Sequence, residues 1–350
     1  MIDVPDFEVT GASRTVAKAQ TLVNNHPRGK AVALDVSNEG ALEHLIRQAD
    51  LAVSMLPYVF HPLVADLCVK HKKHMVTTSY VKDSMLALDT QAKEAGVILL
   101  NEIGVDPGID HMSAMKVIHH EENSGGKIAS FISWTGGLPA PEASDNPYGY
   151  KFSWSPKGVL LAGKNDAQFQ RDGELVEIPG DELFDHYWPV QVEGLGEFEG
   201  YPNRDSMPYT ETYGIRPTDW MFRGTLRNVG WCATLKKIVE TGFMEDTPLE
   251  DTPATFRELT AQLLSVSPDT DFPQYLAEQW GLCHDSKPIT DWAWLGLFSD
   301  EPIPEGKTTP IDIMTEQMLA KMAYQPGERD MIVMQHEFVA KYPDRSEAIT

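Results

Sequence analysis

The chain has 350 residues, 42% of them hydrophobic, which is enough for two folded domains and too apolar for a disordered protein. Its 52 acidic residues outnumber 29 basic ones and give a formal net charge of −23, which argues against nucleic acid or an anionic membrane as a partner. The 3 cysteines are widely separated and offer neither a disulfide framework nor a metal-binding spacing, and no secretory signal or membrane span is present. We therefore expect a cytoplasmic protein that binds no metal and acts on a small molecule.

The first 130 or so residues alternate short apolar runs with amphipathic stretches, as in a parallel sheet with crossover helices. Strands are predicted at residues 7–10, 31–36, 51–56, 74–78 and 97–103, and helices at 16–25, 39–48, 62–72 and 85–95. A further helix is predicted to start with Asp106 as its N-cap and Pro107 in its first turn, and to run to about residue 120. We predict a Rossmann-like domain over residues 1–130.

The pattern changes after residue 127. Residues 127–134 look like a strand, 136–150 like a loop rich in Gly, Pro and Asn, and further strand and turn signals continue to about 225. Helices are predicted within residues 235–325, at 256–264, 275–279 and 313–323, and residues 331–340 alternate like a strand that a returning strand follows. The fold class expected is α/β, with an α+β substrate and dimerisation domain over residues 131–350 that carries a helical insertion.

Seven strings, in order along nearly the whole chain, resemble the glutamate-forming saccharopine dehydrogenase family, also called saccharopine reductase. They are residues 101–111, 136–142, 149–155, 201–206, 223–227, 294–300 and 328–331. The resemblance implies an oxidoreductase of lysine metabolism, in which a hydride passes between NADP and the C–N bond that joins the two halves of saccharopine. Hydrolysis then gives glutamate and aminoadipate semialdehyde. It also implies a homodimer.

NADP is the cofactor that the resemblance implies, and the residues after the first predicted strand agree with it. NAD enzymes carry an acidic residue there, whereas this chain has Ser13, Arg14 and Thr15, a fork of hydroxyl and guanidinium groups suited to a 2′-phosphate. The resemblance places the other cofactor contacts at Asp35, Val36, Ser54, Met55, Leu56, Val105, Pro107 and Ser155.

Saccharopine carries three carboxylates, so its site needs guanidinium groups that bind carboxylates in bidentate fashion. Arg204 and Arg227 match the family's substrate positions and are the predicted anchors, whereas Arg223 is as readily explained by a neighbouring acid. Asp106 is the predicted catalytic residue and also a substrate contact, since its carboxylate could stabilise an iminium ion or move a proton. Thr135 stands where some relatives have a cysteine, so acid–base chemistry by that side chain is not expected. The remaining substrate contacts that the resemblance implies are Ser79, Tyr80, Thr225 and Leu226.

The family begins with a strand and a Gly-x-Gly-x-x-Ala turn that holds the pyrophosphate, and Gly11, the first glycine of this chain, lies on the predicted second strand. We therefore expect that this turn is missing, as is a Gly- and Ala-rich segment after Thr350, and that these 350 residues bind NADP weakly or not at all. Three explanations remain open. The start codon of an active enzyme is placed too late; or the product is a truncated, inactive homologue or binding protein; or the chain is a related reductase that acts on carboxyspermidine-type imines.

Overall fold

The computed structural model describes residues 3–215 and 218–350, and its contacts divide the chain into two compact units, one up to Ser113 and one from Ala114. The division lies inside a helix, and the domain limits predicted above, near residue 130, remain a prediction. Within the described ranges, no helix is both long and apolar enough to cross a membrane.

The first unit alternates strands and helices. The strands are β1 (Val9–Ser13), β2 (Gly29–Ala33), β3 (Leu51–Ser54), β4 (His74–Thr77) and β5 (Leu99–Leu100). The helices are α1 (Val16–Val23), α2 (Glu39–Gln48), α3 (His61–Lys70), α4 (Asp83–Leu86), α5 (Asp89–Ala95) and the start of α6 (Ile109–Asn123). Helix α2 has the predicted bounds because the Asn38 side chain accepts from the amide of Ala41 at 3.1 Å, while Leu42 and Ile46 enter the core on one face.

The strands of the first unit form two separate parallel sheets, β1–β2 and β3–β4–β5. In a doubly wound fold of order 3-2-1-4-5-6, the first pair corresponds to positions 2 and 3, and the second sheet to positions 4, 5 and 6. Among the described residues no strand pairs with the other edge of β1 or of β3. On β3, Leu51 and Val53 are 45% and 42% exposed. The first unit is thus Rossmann-like, and the edges of β1 and β3 are open among the described residues.

The predicted start of α6 is wrong. The helix begins at Ile109, three residues after Asp106, which lies in a turn that contains a cis peptide bond to Pro107. The turn is closed by the Gly104 amide, which donates to the carbonyl of Pro107 at 2.9 Å. Gly108 has a φ of +146°, and a Cβ there would come within 2.2 Å of the Gly104 carbonyl oxygen, so only glycine fits.

The second unit is built on one eight-stranded sheet. Its strands are β6 (Lys127–Pro139), β7 (Ala167–Arg171), β8 (Glu174–Ile178), β9 (Trp188–Val192), β10 (Gly196–Pro202), β11 (Trp220–Arg227), β12 (Asp330–Lys341) and β13 (Ser346–Ile349). The helices are α7 (Pro156–Ala162), α8 (Pro208–Thr212), α9 (Trp231–Glu240), α10 (Phe256–Leu264), α11 (Phe272–Trp280), α12 (Lys287–Leu295) and α13 (Pro310–Met322). The main strand order is β13-β12-β6-β11-β10-β9, with β7 on the early part of β11 and β8 on β7; β6 and β11 are parallel, and the other pairs are antiparallel.

Side chains alternate between the two faces of this sheet. Trp134, Phe222 and Val333 point into the larger core, which the helices of residues 231–322 complete. Phe131 and Phe338 point the other way, into a smaller core formed with α6. Strand β6 is longer than predicted, because the supposed loop at residues 136–139 continues the pairing with β12.

Candidate functional site

The predicted adenosine-end residues meet at the carboxyl ends of β1 and β2. Thr15 occupies the N-cap position of α1, but in the described structure its side chain makes no capping hydrogen bond to that helix. Hydrogen bonds from the Ser37 hydroxyl and amide hold the pKa of Asp35 below its ordinary value, and the positive charge of Arg14 adds to this shift. Arg14 and Asp35 therefore lie close enough to interact. Val36 is buried in the core and presents no side chain to a ligand.

A buried hydrogen-bonded network joins the carboxyl ends of β3 and β4. His61, the first residue of α3, is only 2% exposed. Its Nδ1 lies 2.9 Å from the Ser54 Oγ, and its Nε2 lies 2.8 Å from the Ser79 Oγ and 3.1 Å from the Thr77 Oγ1. The network connects a predicted cofactor residue, Ser54, to a predicted substrate residue, Ser79. Of the two residues after Ser54, Met55 is exposed and Leu56 packs on the core.

Tyr80 and Asp106 are brought together, although 26 residues separate them in sequence. The Tyr80 hydroxyl donates to the Asp106 Oδ1 at 2.8 Å. The loop of residues 101–111 holds this pair in place, since the amide of Glu102 donates to the Ser79 carbonyl at 3.1 Å and its carboxylate accepts from the Val81 amide at 2.9 Å. In the same loop Val105 is exposed and Pro107 is buried.

Tyr80 and His61 also line an open cavity of about 410 Å³ on the first unit. Its remaining wall is formed by Tyr58, Val59, Pro62, Lys82, Asp83, Ser84 and Met85. The Lys82 ammonium lies 5.5 Å from the centre of the Tyr58 ring. The cavity thus combines an apolar wall with a cation, the Tyr80 hydroxyl and the imidazole of His61.

In the second unit, a polar stripe crosses the central strands on the face of the smaller core. Register places Ser133 of β6 beside Arg223 of β11, and Thr135 beside Thr225. On the other side of β6, His336 of β12 pairs with Ser133, and its Nδ1 lies 3.1 Å from the Ser133 Oγ. Phe131 and Met221 precede these polar residues on the same face and lie in the smaller core. The face therefore has an apolar half and a polar half.

Arg227 ends β11 and is only 7% exposed. Its guanidinium carbon lies 4.8 Å from the Tyr150 ring centre and 5.4 Å from that of Trp231, and its Nη1 donates to the Leu226 carbonyl at 2.8 Å. Its Nε is buried and has no hydrogen-bond partner among the described residues. The charge is thus held between aromatic rings with donor capacity unused.

Glu199 lies directly opposite Arg227 in the β10–β11 register, yet it does not neutralise that charge by contact. Both of its carboxylate oxygens accept from backbone amides at the start of α9, from Gly230 at 2.7 Å and from Cys232 at 2.8 Å. Among residues 3–215 and 218–350, Arg227 makes no ion pair with a carboxylate. Burying a cation without a carboxylate partner costs on the order of several kcal/mol of folding free energy relative to burying it in an ion pair.

Arg204 is the other predicted anchor, and it lies on a different stretch of the sheet. It follows β10 with a φ of +56°, and its carbonyl accepts from the Gln168 amide at 3.0 Å. The preceding residue, Asn203, donates its amide to the Arg223 carbonyl at 2.9 Å. Arg227 is four residues further along β11, or about 13 Å at the rise of a strand, so the two arginines would meet different parts of one long ligand.

Two other predicted positions have structural roles. The Ser155 hydroxyl accepts from the Gly158 amide at 3.2 Å and caps α7, and Leu226 is fully buried in the core. The strings that carry the family resemblance also contain an ion pair, because Lys151 Nζ lies 2.9 Å from the Asp145 carboxylate and 2.7 Å from that of Glu328. This pair ties the string at residues 149–155 to that at 328–331.

Sequence reasoning missed three groups near the predicted residues: His61, the Tyr150–Trp231 aromatic pair and His336. No local pattern distinguishes a histidine at the start of a helix, whereas Tyr150 lies in one of the strings that carried the resemblance. A search for hydroxyls at the carboxyl ends of parallel strands finds Ser54 and Ser79 but not His61, which lies at the start of a helix.

Comparison with known proteins assigns the family. The saccharopine dehydrogenase NADP binding domain matches residues 2–100, and the saccharopine dehydrogenase C-terminal domain matches residues 104–350. The NADP(+), L-glutamate-forming saccharopine dehydrogenase of Schizosaccharomyces pombe is 42% identical over 343 residues, which cover 94% of this chain and 75% of that protein. The mitochondrial alpha-aminoadipic semialdehyde synthase of Rattus norvegicus is 36% identical, over 97% of this chain and 37% of that protein.

A solved structure gives the same result. The apo saccharopine dehydrogenase (L-Glu forming) from Saccharomyces cerevisiae aligns with a TM-score of 0.86 and 36% identity, over 99% of this chain and 79% of that one. The agreement covers both units. The chain belongs to the saccharopine dehydrogenase family.

Proposed function

We propose that this chain is an NADP-dependent, glutamate-forming saccharopine dehydrogenase, an oxidoreductase of lysine metabolism. The relatives reported above support this assignment through their names. The observation in the molecule that carries it is the buried guanidinium of Arg227, which has an unused Nε donor and no carboxylate partner among the described residues. A ligand carboxylate would satisfy both the charge and the donor.

The residues at the ends of β1 and β2 fit the adenosine end of NADP. Arg14 supplies a guanidinium, and the Thr15 hydroxyl makes no capping bond to α1, so both groups can meet a 2′-phosphate. We assign Ser13, Arg14, Thr15 and Asp35 to this end of the cofactor, and residues 54–56 to its nicotinamide half. When bound, NADP supplies the hydride acceptor or donor of the reaction.

Arg227 and Arg204 are assigned to different carboxylates of the substrate. A substrate with carboxylates at both ends suits two cations whose backbones lie about 13 Å apart along the sheet. Thr225, which lies beside Thr135 on the polar stripe and two residues before Arg227, is assigned to substrate binding. The aromatic rings of Tyr150 and Trp231 fix the plane of the Arg227 guanidinium, which favours a planar carboxylate over other anions.

Asp106 and Tyr80 are assigned to proton transfer. The hydroxyl of Tyr80 already donates to the Asp106 Oδ1, so a proton can pass between the carboxylate and a group that the phenol oxygen contacts. A carboxylate at this place also stabilises the positive charge of an iminium carbon–nitrogen bond. Ser79, next to Tyr80, is assigned to substrate binding.

The experiment that tests the proposal follows NADPH absorbance with saccharopine and NADP, and in reverse with glutamate and aminoadipate semialdehyde. In a protein that also carries the Gly-x-Gly-x-x-Ala turn of the family, we expect turnover by the wild type and a fall in kcat of about 100-fold in Asp106→Asn, since general acid–base catalysis contributes on that order. The control is Asp181→Asn, an exposed aspartate far along the sequence, which should leave kcat unchanged. Turnover of a carboxyspermidine-type imine but not of saccharopine would refute the assignment.

We also infer a homodimer, which the family resemblance predicts, and a cytoplasmic location, which is the expectation of the sequence analysis. The 3 cysteines are free thiols in the structure, which is consistent with a reducing compartment. Sedimentation at micromolar concentrations tests the dimer, and a fluorescent fusion tests the location. A purely monomeric protein would contradict the first inference, and an organellar signal would contradict the second.

A further inference from the structure

The hydrogen bonds of His61 are more specific than the packing of a buried histidine requires. A buried imidazole could be satisfied by any two partners, but here both ring nitrogens contact hydroxyls that follow parallel strands, Ser54 after β3 and Ser79 after β4. That edge of a doubly wound sheet is where ligands bind. His61 is 2% exposed and starts α3, so the ring has a fixed place between the two strands.

We infer that His61 is a positioning residue that makes the Ser79 hydroxyl a donor toward a substrate carboxylate and the Ser54 hydroxyl an acceptor toward the nicotinamide half of the dinucleotide. The inference rests on the proposed function, since it assumes a carboxylate on one side and a dinucleotide on the other. It concerns orientation only, because His61 contacts the two serines and neither reacting group.

The polarity of the network follows from the chemistry of a neutral imidazole. Burial lowers the pKa of His61, so the ring is neutral near pH 7 and has one N–H donor and one lone pair. If Nε2 carries the hydrogen, it donates to the Ser79 Oγ, and the Ser79 proton is left to donate outward. Nδ1 then accepts the Ser54 proton, and the Ser54 oxygen is left to accept. The opposite tautomer reverses both ends.

The ligands select between the two tautomers. A carboxylate only accepts hydrogen bonds, so a serine that binds it must donate. A nicotinamide nucleoside can donate from its ribose hydroxyls and from its carboxamide N–H groups, so a serine that accepts can bind it. The Nε2–H tautomer meets both requirements, and the Thr77 Oγ1 at 3.1 Å from the same Nε2 can share that hydrogen.

Two conservative variants separate the ends of the network. An asparagine amide oxygen reaches about as far as Nδ1 and can accept from Ser54, whereas a glutamine amide nitrogen reaches about as far as Nε2 and can donate to Ser79. His61→Gln should therefore keep the saccharopine KM within about threefold and weaken NADPH binding about tenfold, whereas His61→Asn should do the opposite, since one hydrogen bond to a neutral group is worth about tenfold. NADPH binding is measured by calorimetry, and KM by initial rates.

The control is His119→Gln, an exposed histidine on α6, which should change neither constant. A second measurement needs no variant: imidazole ¹⁵N chemical shifts of the wild type should report an Nε2–H tautomer at pH 7. An Nδ1–H tautomer overturns the inference, as does an equal loss of saccharopine and NADPH binding in both variants. If the wild type does not act on saccharopine, the proposed function fails, and the tautomer and the NADPH affinities still test the role of His61.

Discussion

Replacing Arg227 with methionine tests whether this residue binds a ligand or only stabilises the fold. Arg227→Met removes a buried charge that lacks a carboxylate partner among the described residues, and similar replacements stabilise proteins by about 1–4 kcal/mol. It also removes two aromatic contacts, worth about 0.5–2 kcal/mol each, and the bond to the Leu226 carbonyl, worth about 1 kcal/mol. These terms nearly cancel, so the unfolding free energy should change by less than about 1 kcal/mol.

The effect on the substrate should be far larger. Loss of a charge-assisted, bidentate contact costs about 3–4 kcal/mol, or a rise of 100-fold or more in the saccharopine KM. Urea unfolding and initial rates measure the two quantities on the same preparation. Arg257→Met is the matched control, because Arg257 also lies on an aromatic ring, that of Phe272, but is paired with Asp300 and has no proposed ligand.

Two results would refute this reasoning. If Arg227 only holds the fold together, its removal should cost the whole of its lost aromatic contacts and hydrogen bond, about 2–5 kcal/mol, with the KM unchanged in the molecules that remain folded. A stable variant with a normal KM would equally remove Arg227 from the substrate site. The signs and sizes of the two effects thus separate the alternatives.

Three further predictions concern the cofactor, the pH and a glycine. Arg14→Ala should weaken NADPH binding about 10- to 100-fold in calorimetry and leave NADH binding unchanged, because only NADPH has the 2′-phosphate; equal losses for both would contradict it. Hydrogen bonds from Lys151 lower the pKa of Glu328 and of Asp145 from their ordinary values of 4.5 and 3.8. The two carboxylates therefore stabilise the fold fully above those ordinary values, and this stabilisation is lost as pH falls through the lowered pKa values. The melting temperature should therefore fall below about pH 5, and less steeply in Lys151→Met; parallel slopes would argue against the ion pair. Gly108→Ala should lower the unfolding free energy by more than about 2 kcal/mol, because its Cβ would meet the Gly104 carbonyl at 2.2 Å, and it should lower kcat by moving Asp106. The control is Gly96→Ala, which has a φ of +70° and open space around it and should lower the unfolding free energy by about 1 kcal/mol.

Much of the first unit could be predicted from the sequence because its signals are local. Helix α2 matches its prediction at both ends, since Asn38 caps it and an apolar stripe follows at helical spacing. The start of α6 could not be predicted in this way. Asp106 and Pro107 form a good N-terminal signal, but the closure of the turn between Gly104 and Gly108 depends on backbone contacts that no propensity records.

The same limit holds in the second unit. Residues 136–139 have the composition of a loop, but they continue β6 because β12 pairs with them, a contact between segments almost 200 residues apart. For the site, family resemblance selected Arg227 and Asp106, whereas two partners that give these residues their properties, Tyr150 and Tyr80, come from other segments. Such partners follow from tertiary packing, not from spacing along the chain.

The unpaired strand edges of the first unit have a consequence for handling the protein. Among the described residues no strand covers the outer edges of β1 and β3, so the backbone N–H and C=O groups there are templates on which another molecule can add a strand, and the exposed Leu51 and Val53 would favour such growth. At low ionic strength the net charge of −23 keeps molecules apart. Salt screens that repulsion within about 10 Å at 0.1 M, so self-association should increase as salt is added, the reverse of the behaviour of proteins that salt keeps in solution.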